Sequence, residues 1–376
     1  MSRFSLLTVA VAACALAGCA TAPSAPGGGA AFFSAPVEGA NALFPVSARS
    51  ARLGAVNLST GQLKGARICV RAQDLRPLGP VTGPSVAASR TDYSQAPRDY
   101  GRAVNDAAFR VLLTRDPEMA RAAVATLRQH ADASAWQPAG TVWSVSSAAI
   151  EGMGLVLPAW QILRQAGTTS DADRAAIDAW LQQVARVADD RMADNNLGSS
   201  RAANDMLFGL MSGDGARYAR GRAAFVAQLA GMRPDGSFPL EVERGRGALS
   251  NQSRNIGFLV YGADVAASAG DDLWSETVDG KSIRTAIRFF LDAVADTALV
   301  DQYAQANVRP PESAAVFRPN DQLDPLGSAT KAWAISFVER FPHDPLSAEL
   351  QAKMTLGSRI QSDVTGGNST CYASRI

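Results

Sequence analysis

Two carboxylates and two arginines, Glu241, Glu243, Arg244 and Arg246, fall within the polar stretch running from Asp235 to Gln252. Pro234, Gly236 and Pro239 interrupt helix ahead of them, so the stretch reads as a long loop between two helical runs. Charged loops on a helical scaffold are where binding and chemistry concentrate. With Arg201 and Arg254, the arginines Arg244 and Arg246 could hold carboxylates of a ligand as bidentate partners. The competing reading of the same residues is solvated surface, or pairing with Asp205, Glu241 and Glu243. Hydrolysis across two facing carboxylates would draw on Asp92, Asp205, Asp235, Glu241 and Glu243. Asp235 reads better as a turn residue before Gly236, Glu243 reads as a partner of Arg246, and nothing fixes a pair at the required separation.

Composition narrows the chemistry. The chain has two histidines, His130 and His343, so a multi-histidine metal site is excluded and no metal or cofactor is expected. The formal net charge of +1 speaks against nucleic acid as a partner. Hydrophobic residues at 47% and charged residues at 19% are globular values, and a monomer is expected.

The elements that must position the charged loop begin well inside the chain. Residues 1–18 carry a short basic start and an apolar run, Phe4 to Leu16, too short to span a bilayer. The run ends in Leu16-Ala17-Gly18-Cys19, which looks like a bacterial lipobox with Cys19 as the lipidated mature N-terminus. A plain signal peptide cut elsewhere is the alternative. Residues 19–35 read as a flexible tether and residues 36–88 as an irregular N-terminal segment. Cys69 and Cys371 remain, one near each end of the folded part; in an oxidising periplasm they are expected to form a disulfide, two separate thiols being the alternative.

Residues 89–376 read as helices. Ala107, Val111 and Leu112 share one helical face, and Met119, Ala123, Leu127 and His130 the next. Further helices are expected over 144–166, 173–192, 200–210, 216–229, 256–268, 281–299, 327–340 and 347–354. No convincing alternation marks a sheet. Helix pairs joined by alternately short and long loops, with no fixed repeat, predict an all-α fold, an α/α toroid or incomplete barrel of antiparallel pairs.

The order of motifs resembles the alginate lyase family of helical-toroid polysaccharide lyases, over Ser89 to Arg340. The resemblance is carried by Thr91-Asp92-Tyr93, the helix around Trp180 leading to Asn195-Asn196, Asp235 to Glu241, Arg244 to Leu249, and Lys331-Ala332-Trp333. It implies cleavage of a uronate polymer by β-elimination. A group must neutralise the uronate carboxylate, a base must take the C5 proton, and an acid must protonate the leaving oxygen. In the family an Asn neutralises and the next residue is a base His, while an Arg precedes a proton-donating Tyr. By this match Asn196 and Arg244 are catalytic; Asn195, Arg201, Arg246, Asn251, Gln252 and Arg254, in the same two loops around them, are expected to bind substrate.

The departures fall on the proton-moving positions. Leu197 stands where the family has His, and Asn251 and Gln252 stand where it has Tyr and His; a slip of two residues would put Ser253 and Arg254 there instead. None of Leu197, Asn251 and Gln252 can serve as acid or base. Tyr93 becomes the base candidate, its phenolate favoured by nearby arginines, with Tyr261 and His130 behind it. The expected function is a lyase acting on an anionic, uronate-containing polysaccharide in the periplasm, anchored to a membrane, the outer one by preference, through Cys19. A catalytically silent polysaccharide-binding lipoprotein is the second reading, and a glycoside hydrolase on the same toroid the third.

Overall fold

The computed structural model describes residues 32–33, 41–55, 90–136, 143–189, 195–304, 332–353, 361–362 and 365–368. The expectations for Cys19, Cys69 and Cys371, and for the signal and most of the tether, lie outside these residues.

Amphipathic spacing builds the helices in the expected order. They are α1 (Val46–Ala55), α2 (Arg90–Thr114), α3 (Pro117–Asp132), α4 (Trp143–Leu163), α5 (Asp171–Asp189), α6 (Asn196–Ser212) and α7 (Gly215–Gly231). After them come α8 (Pro239–Val242), α9 (Ala248–Ser268), α10 (Ile283–Ala295), α11 (Ala298–Ala304), α12 (Trp333–Arg340) and α13 (Pro345–Lys353). The helices pack side by side, α2 along α4, α3 along α5, α6 along α7, and α9 along α6 and α10; α6 and α7 run antiparallel, Gly209 lying against Tyr218 and Gly221 against Ala202. The result is the all-α toroid that the periodicity predicts. α4 and α9 are apolar around most of their surface, with Leu155, Val156, Leu157 and Trp160 of the former and Ile256, Val260 and Tyr261 of the latter all buried. A helix apolar on every side belongs in the middle of the packing.

Local signals set the boundaries. Asp116 caps α3 by accepting from the N–H groups of Glu118 (3.0 Å) and Met119 (3.1 Å), with Pro117 at the first helical position. Ser282 and Thr285 cap α10 reciprocally. The α6–α7 approach depends on small residues, since a Cβ at Gly221 would stand 2.6 Å from the Ala202 carbonyl oxygen.

Several boundaries differ from expectation. The segment read as irregular contains α1, held by burial of Val46 and Leu53 and by Asn41 Oδ1 accepting from the Val46 N–H at 3.3 Å. The C-terminal tail carries a two-residue antiparallel pair, β1 (Gln361–Ser362) with β2 (Gly367–Asn368). Asn105 docks it by donating to the Leu155 carbonyl (2.9 Å) and the Gly366 carbonyl (3.1 Å). α9 begins eight residues before the expected start at 256, so Asn251, Gln252 and Arg254 are helical.

Two of the reserve base candidates belong to the core. His130 is fully buried, its Nδ1 3.0 Å from the Thr126 carbonyl oxygen and its ring stacked on Tyr100 at 3.7 Å between Trp136 and Trp180. Burial holds its imidazole below the usual histidine range. It fills an aromatic core rather than merely capping a helix end. Tyr261 is buried in the apolar middle of α9.

Candidate active site

The site is assembled where the start of α6 meets the segment from α8 to the first turns of α9. A tight turn comes first. The Gly236 N–H donates to the Arg233 carbonyl at 2.9 Å, and Asp235 Oδ1 accepts from the Ser237 N–H at 2.8 Å. Gly236 has φ +96°, and a Cβ there would stand 2.3 Å from the Thr285 carbonyl oxygen, so the position admits glycine only. Gln252 then fastens the turn from the side: its Oε1 accepts from the Phe238 N–H and its Nε2 donates to the Gly236 carbonyl, both at 2.9 Å. This corrects its place among the substrate-binding residues. Its side chain is fully buried and both ends of its amide are engaged by the turn.

Pro239 does not break helix here. It occupies the first position of α8, where its missing N–H costs nothing. α8 carries Glu241 inward to full burial. The Glu241 carboxylate accepts from the backbone N–H of Asn196 at 2.5 Å and from Asn196 Nδ2 at 2.7 Å. Arg244 Nη1 lies 3.7 Å from Glu241 Oε2 and donates to Asn251 Oδ1 at 3.4 Å. Asn251 also accepts from Asn196 Nδ2 at 3.4 Å and donates to the Gly247 carbonyl at 2.8 Å. Burial pushes the Glu241 carboxyl above the ordinary glutamate range, opposed by the Asn196 hydrogen bonds and by the charges of Arg244 and Arg254.

Asn195, Asn196, Arg244, Asn251 and Arg254 are therefore brought together, with differing parts. Asn195 caps α6, its Oδ1 accepting from the Leu197 N–H at 3.0 Å. The Asn196 amide nitrogen faces Glu241, which fixes the plane of that amide. Arg244 keeps 31% of its side chain exposed and is the cation of the cluster best placed to meet a ligand carboxylate. Arg254 donates to Glu151 Oε1 at 2.7 Å, and Arg98 pairs with the other Glu151 oxygen, so one buried carboxylate ties α2, α4 and α9 together. Arg201 is half-buried on α6 and Arg246 is exposed on the 3₁₀ turn Gly245–Gly247. Leu197 is buried, so its position offers neither base nor space for one.

Other expectations resolve differently. Glu243 pairs with Arg233 at 2.5 Å rather than with Arg246. Arg233 also stacks on Tyr303 at 4.3 Å, and the Tyr303 hydroxyl donates to Asp235 Oδ2 at 2.9 Å. Asp205 is buried, with Arg217 at 3.7 Å. Among the described residues, the carboxylates considered for hydrolysis are thus committed to turns or ion pairs. The side chains of Asp92 and Tyr93, on the first turn of α2, lie outside the described residues. Sequence reasoning missed Glu241 as the hub and Glu151 altogether. The one available signal was Pro239, which places Glu241 on the first turn of a helix.

The chain is similar to known proteins. The family model described as "Alginate lyase" matches residues 86–299. A "Polysaccharide lyase" of Stenotrophomonas maltophilia (strain K279a) is 30% identical over 138 residues, and the chain spans 41% of that relative's length. Alginate lyase A1-III from Sphingomonas species A1 superposes with a TM-score of 0.72 at 20% identity, covering 92% of this chain and 98% of that one. A variant of alginate lyase A1-III complexed with tetrasaccharide gives 0.74 at 21% identity, covering 90% and 96%. An alginate lyase from Bacteroides ovatus gives 0.53 at 17% identity, covering 76% and 74%. At these identities the solved structures speak for the fold, while the family match takes in more than half of the chain, both asparagines and the whole Asp235–Gln252 segment. The chain belongs to the alginate lyase family.

Proposed function

We propose that the chain is a polysaccharide lyase that grips a uronate-containing polymer at Arg244 and cleaves it by β-elimination. The observation that carries the reading is the Glu241 brace. A fully buried carboxylate fixes the Asn196 amide and stands 3.7 Å from Arg244. The cluster is organised before any ligand arrives, so little reorganisation is needed to meet a carboxylate. Arg244 offers hydrogen bonds and positive charge to that carboxylate, which makes the C5 proton more acidic. Loss of that proton forms the C4–C5 double bond as the C4–oxygen bond breaks, and the leaving oxygen takes a proton. Tyr93 is the proposed base. The proposed setting is the periplasmic face of a membrane, with Cys19 lipidated and Cys69 joined to Cys371.

A second reading is favoured by a specific observation. Leu197 is buried and Asn251 is tied to Gly247, so both positions where the family resemblance implies proton transfer are occupied by groups that cannot titrate. On that reading the chain binds the polymer without cutting it. The purified protein, incubated with alginate and with glucuronan, separates the two. Cleavage raises ultraviolet absorbance as the unsaturated uronate forms, and Tyr93→Phe lowers that rate at least about a hundredfold. Binding with no absorbance change on either polymer would remove the lyase reading, and full activity in Tyr93→Phe would remove the base.

A further inference from the structure

The buried carboxylate of Glu151 takes no part in the proposed reaction. It sits on α4, 5% exposed, between arginines from two other helices. Arg98 of α2 pairs with one oxygen, and Arg254 of α9 donates to the other at 2.7 Å. The backbone that presents it is held on both sides. Asn204 of α6 donates to the carbonyl of the preceding residue, Ile150, at 3.0 Å. A Cβ on the following residue, Gly152, would stand 2.9 Å from the Trp136 ring, so α4 lies close against that wall. Glu151 is therefore a fixed anchor, and what it fixes at the site is the long side chain of Arg254.

Arg254 lies three residues past Asn251, on the same face of α9. Asn251 accepts from Asn196 and Arg244, so this face looks toward the Glu241 brace. Burial raises the Glu241 carboxyl, and the charge of Arg254 is among the influences that oppose the rise, after the Asn196 side chain and Arg244. Arg254 thus has two carboxylates within its influence and is bound to one of them. Its guanidinium also lies over the Phe258 ring, 5.6 Å from the centroid. Glu241 would be a strong alternative partner, because an arginine fork matches the edge of a carboxylate and carries charge. Both Glu241 oxygens are taken, one by the Asn196 N–H and one by Asn196 Nδ2. An arginine arriving there would displace one of those bonds, and the Asn196 amide would lose the plane that Glu241 gives it.

We propose that Glu151 is a positioning residue that holds Arg254 away from Glu241 and so keeps the Glu241–Asn196 brace intact. Two arginines share this one carboxylate. Removing its charge leaves both without the partner that offsets them in a largely buried place. Arg254 then turns to Glu241. Reading the consequence as weaker polymer binding rests on the function proposed for Arg244; the exchange of partners does not.

Crystal structures and alginate affinities of three variants of the full chain test this: Glu151→Gln, Arg254→Gln, and the two combined. In Glu151→Gln the Arg254 guanidinium is expected within hydrogen-bond distance of Glu241, with alginate affinity about tenfold below wild type. The combined variant should recover most of that loss, because no arginine remains to capture Glu241. A residue that merely stabilised the fold would leave the combined variant no better than Glu151→Gln, and that result would overturn the proposal. Arg254 still beside position 151, with Glu241 still on Asn196, would overturn it too. Arg254→Gln alone should cost less affinity than Glu151→Gln. This arm stands by itself if Glu151→Gln does not fold: a loss below about threefold supports the proposal, and a loss of about tenfold or more makes Arg254 a ligand contact and overturns it. If the wild type binds no polymer, the polymer reading falls and the Glu151→Gln structure decides. Arg254 on Glu241 would then support the proposal, and Arg254 unmoved would overturn it.

Discussion

At the scale of single residues, Glu241 and Arg244 do different work, and mutation should separate them. Glu241→Ala leaves the Asn196 N–H unpaired in a buried pocket and its amide nitrogen with only the 3.4 Å bond to Asn251, at a cost of about 3 kcal/mol in stability. A denaturant titration reads this as a lower midpoint with an unchanged slope. Arg244→Ala removes a half-exposed side chain and should cost far less stability, while polyuronate affinity falls about tenfold to a hundredfold. Equal stability losses in the two variants would mean that Glu241 is not the brace. Arg244 was singled out in the sequence by its match to the arginine of the family motif and by its place among the arginines of a polar loop. Glu241 was not, because burial is a property of the fold and a glutamate three residues before an arginine looks like any surface pair.

At the scale of elements, the segment from Asp235 to Gln252 is a short loop followed by helix rather than one long loop. Pro239 was read as a breaker, yet proline is equally a helix starter, and which of the two applies depends on what precedes it. Gly245 and Gly247 hid the early start of α9 by lowering local helix propensity, and packing of Leu249 and Gln252 overrides them. The turn before α8 depends on Gln252 from the next element. Gln252→Ala leaves the Phe238 N–H and the Gly236 carbonyl unpaired, and should lower stability by about 2–4 kcal/mol. Displacement of α8 would follow, so Gln252→Ala should also weaken polymer binding although its side chain touches no ligand. Unaltered binding in a correctly folded Gln252→Ala protein would show that the turn does not position Glu241.

At the scale of the whole molecule, helical periodicity and uneven loop lengths were enough to expect the toroid, since long amphipathic segments leave few ways to bury their apolar faces. The interior carries a pH signature that periodicity could not show. His130 is neutral in the fold because burial opposes its charging, whereas the unfolded chain protonates it near its ordinary value. The unfolded state therefore binds more protons as pH falls from 7 to 5, and stability drops by at most about 1.4 kcal/mol per pH unit from this group. His130→Phe keeps the stacking against Tyr100 and should lose less stability over that interval than the wild type, as read by thermal unfolding at both pH values. A steeper loss in the variant would mean that another group governs the acid limb.

The central claim, that Arg244 is the carboxylate grip of this protein, is tested most directly by affinity for one polymer in two forms. Binding of wild type and Arg244→Ala would be measured on alginate and on the same alginate with its carboxyl groups reduced to alcohols. The account predicts that reduction weakens wild-type binding about tenfold or more, to the level of Arg244→Ala on intact polymer, and that reduction changes little in the variant. Equal wild-type affinity for both polymers, or an Arg244→Ala protein as sensitive to reduction as the wild type, would contradict it.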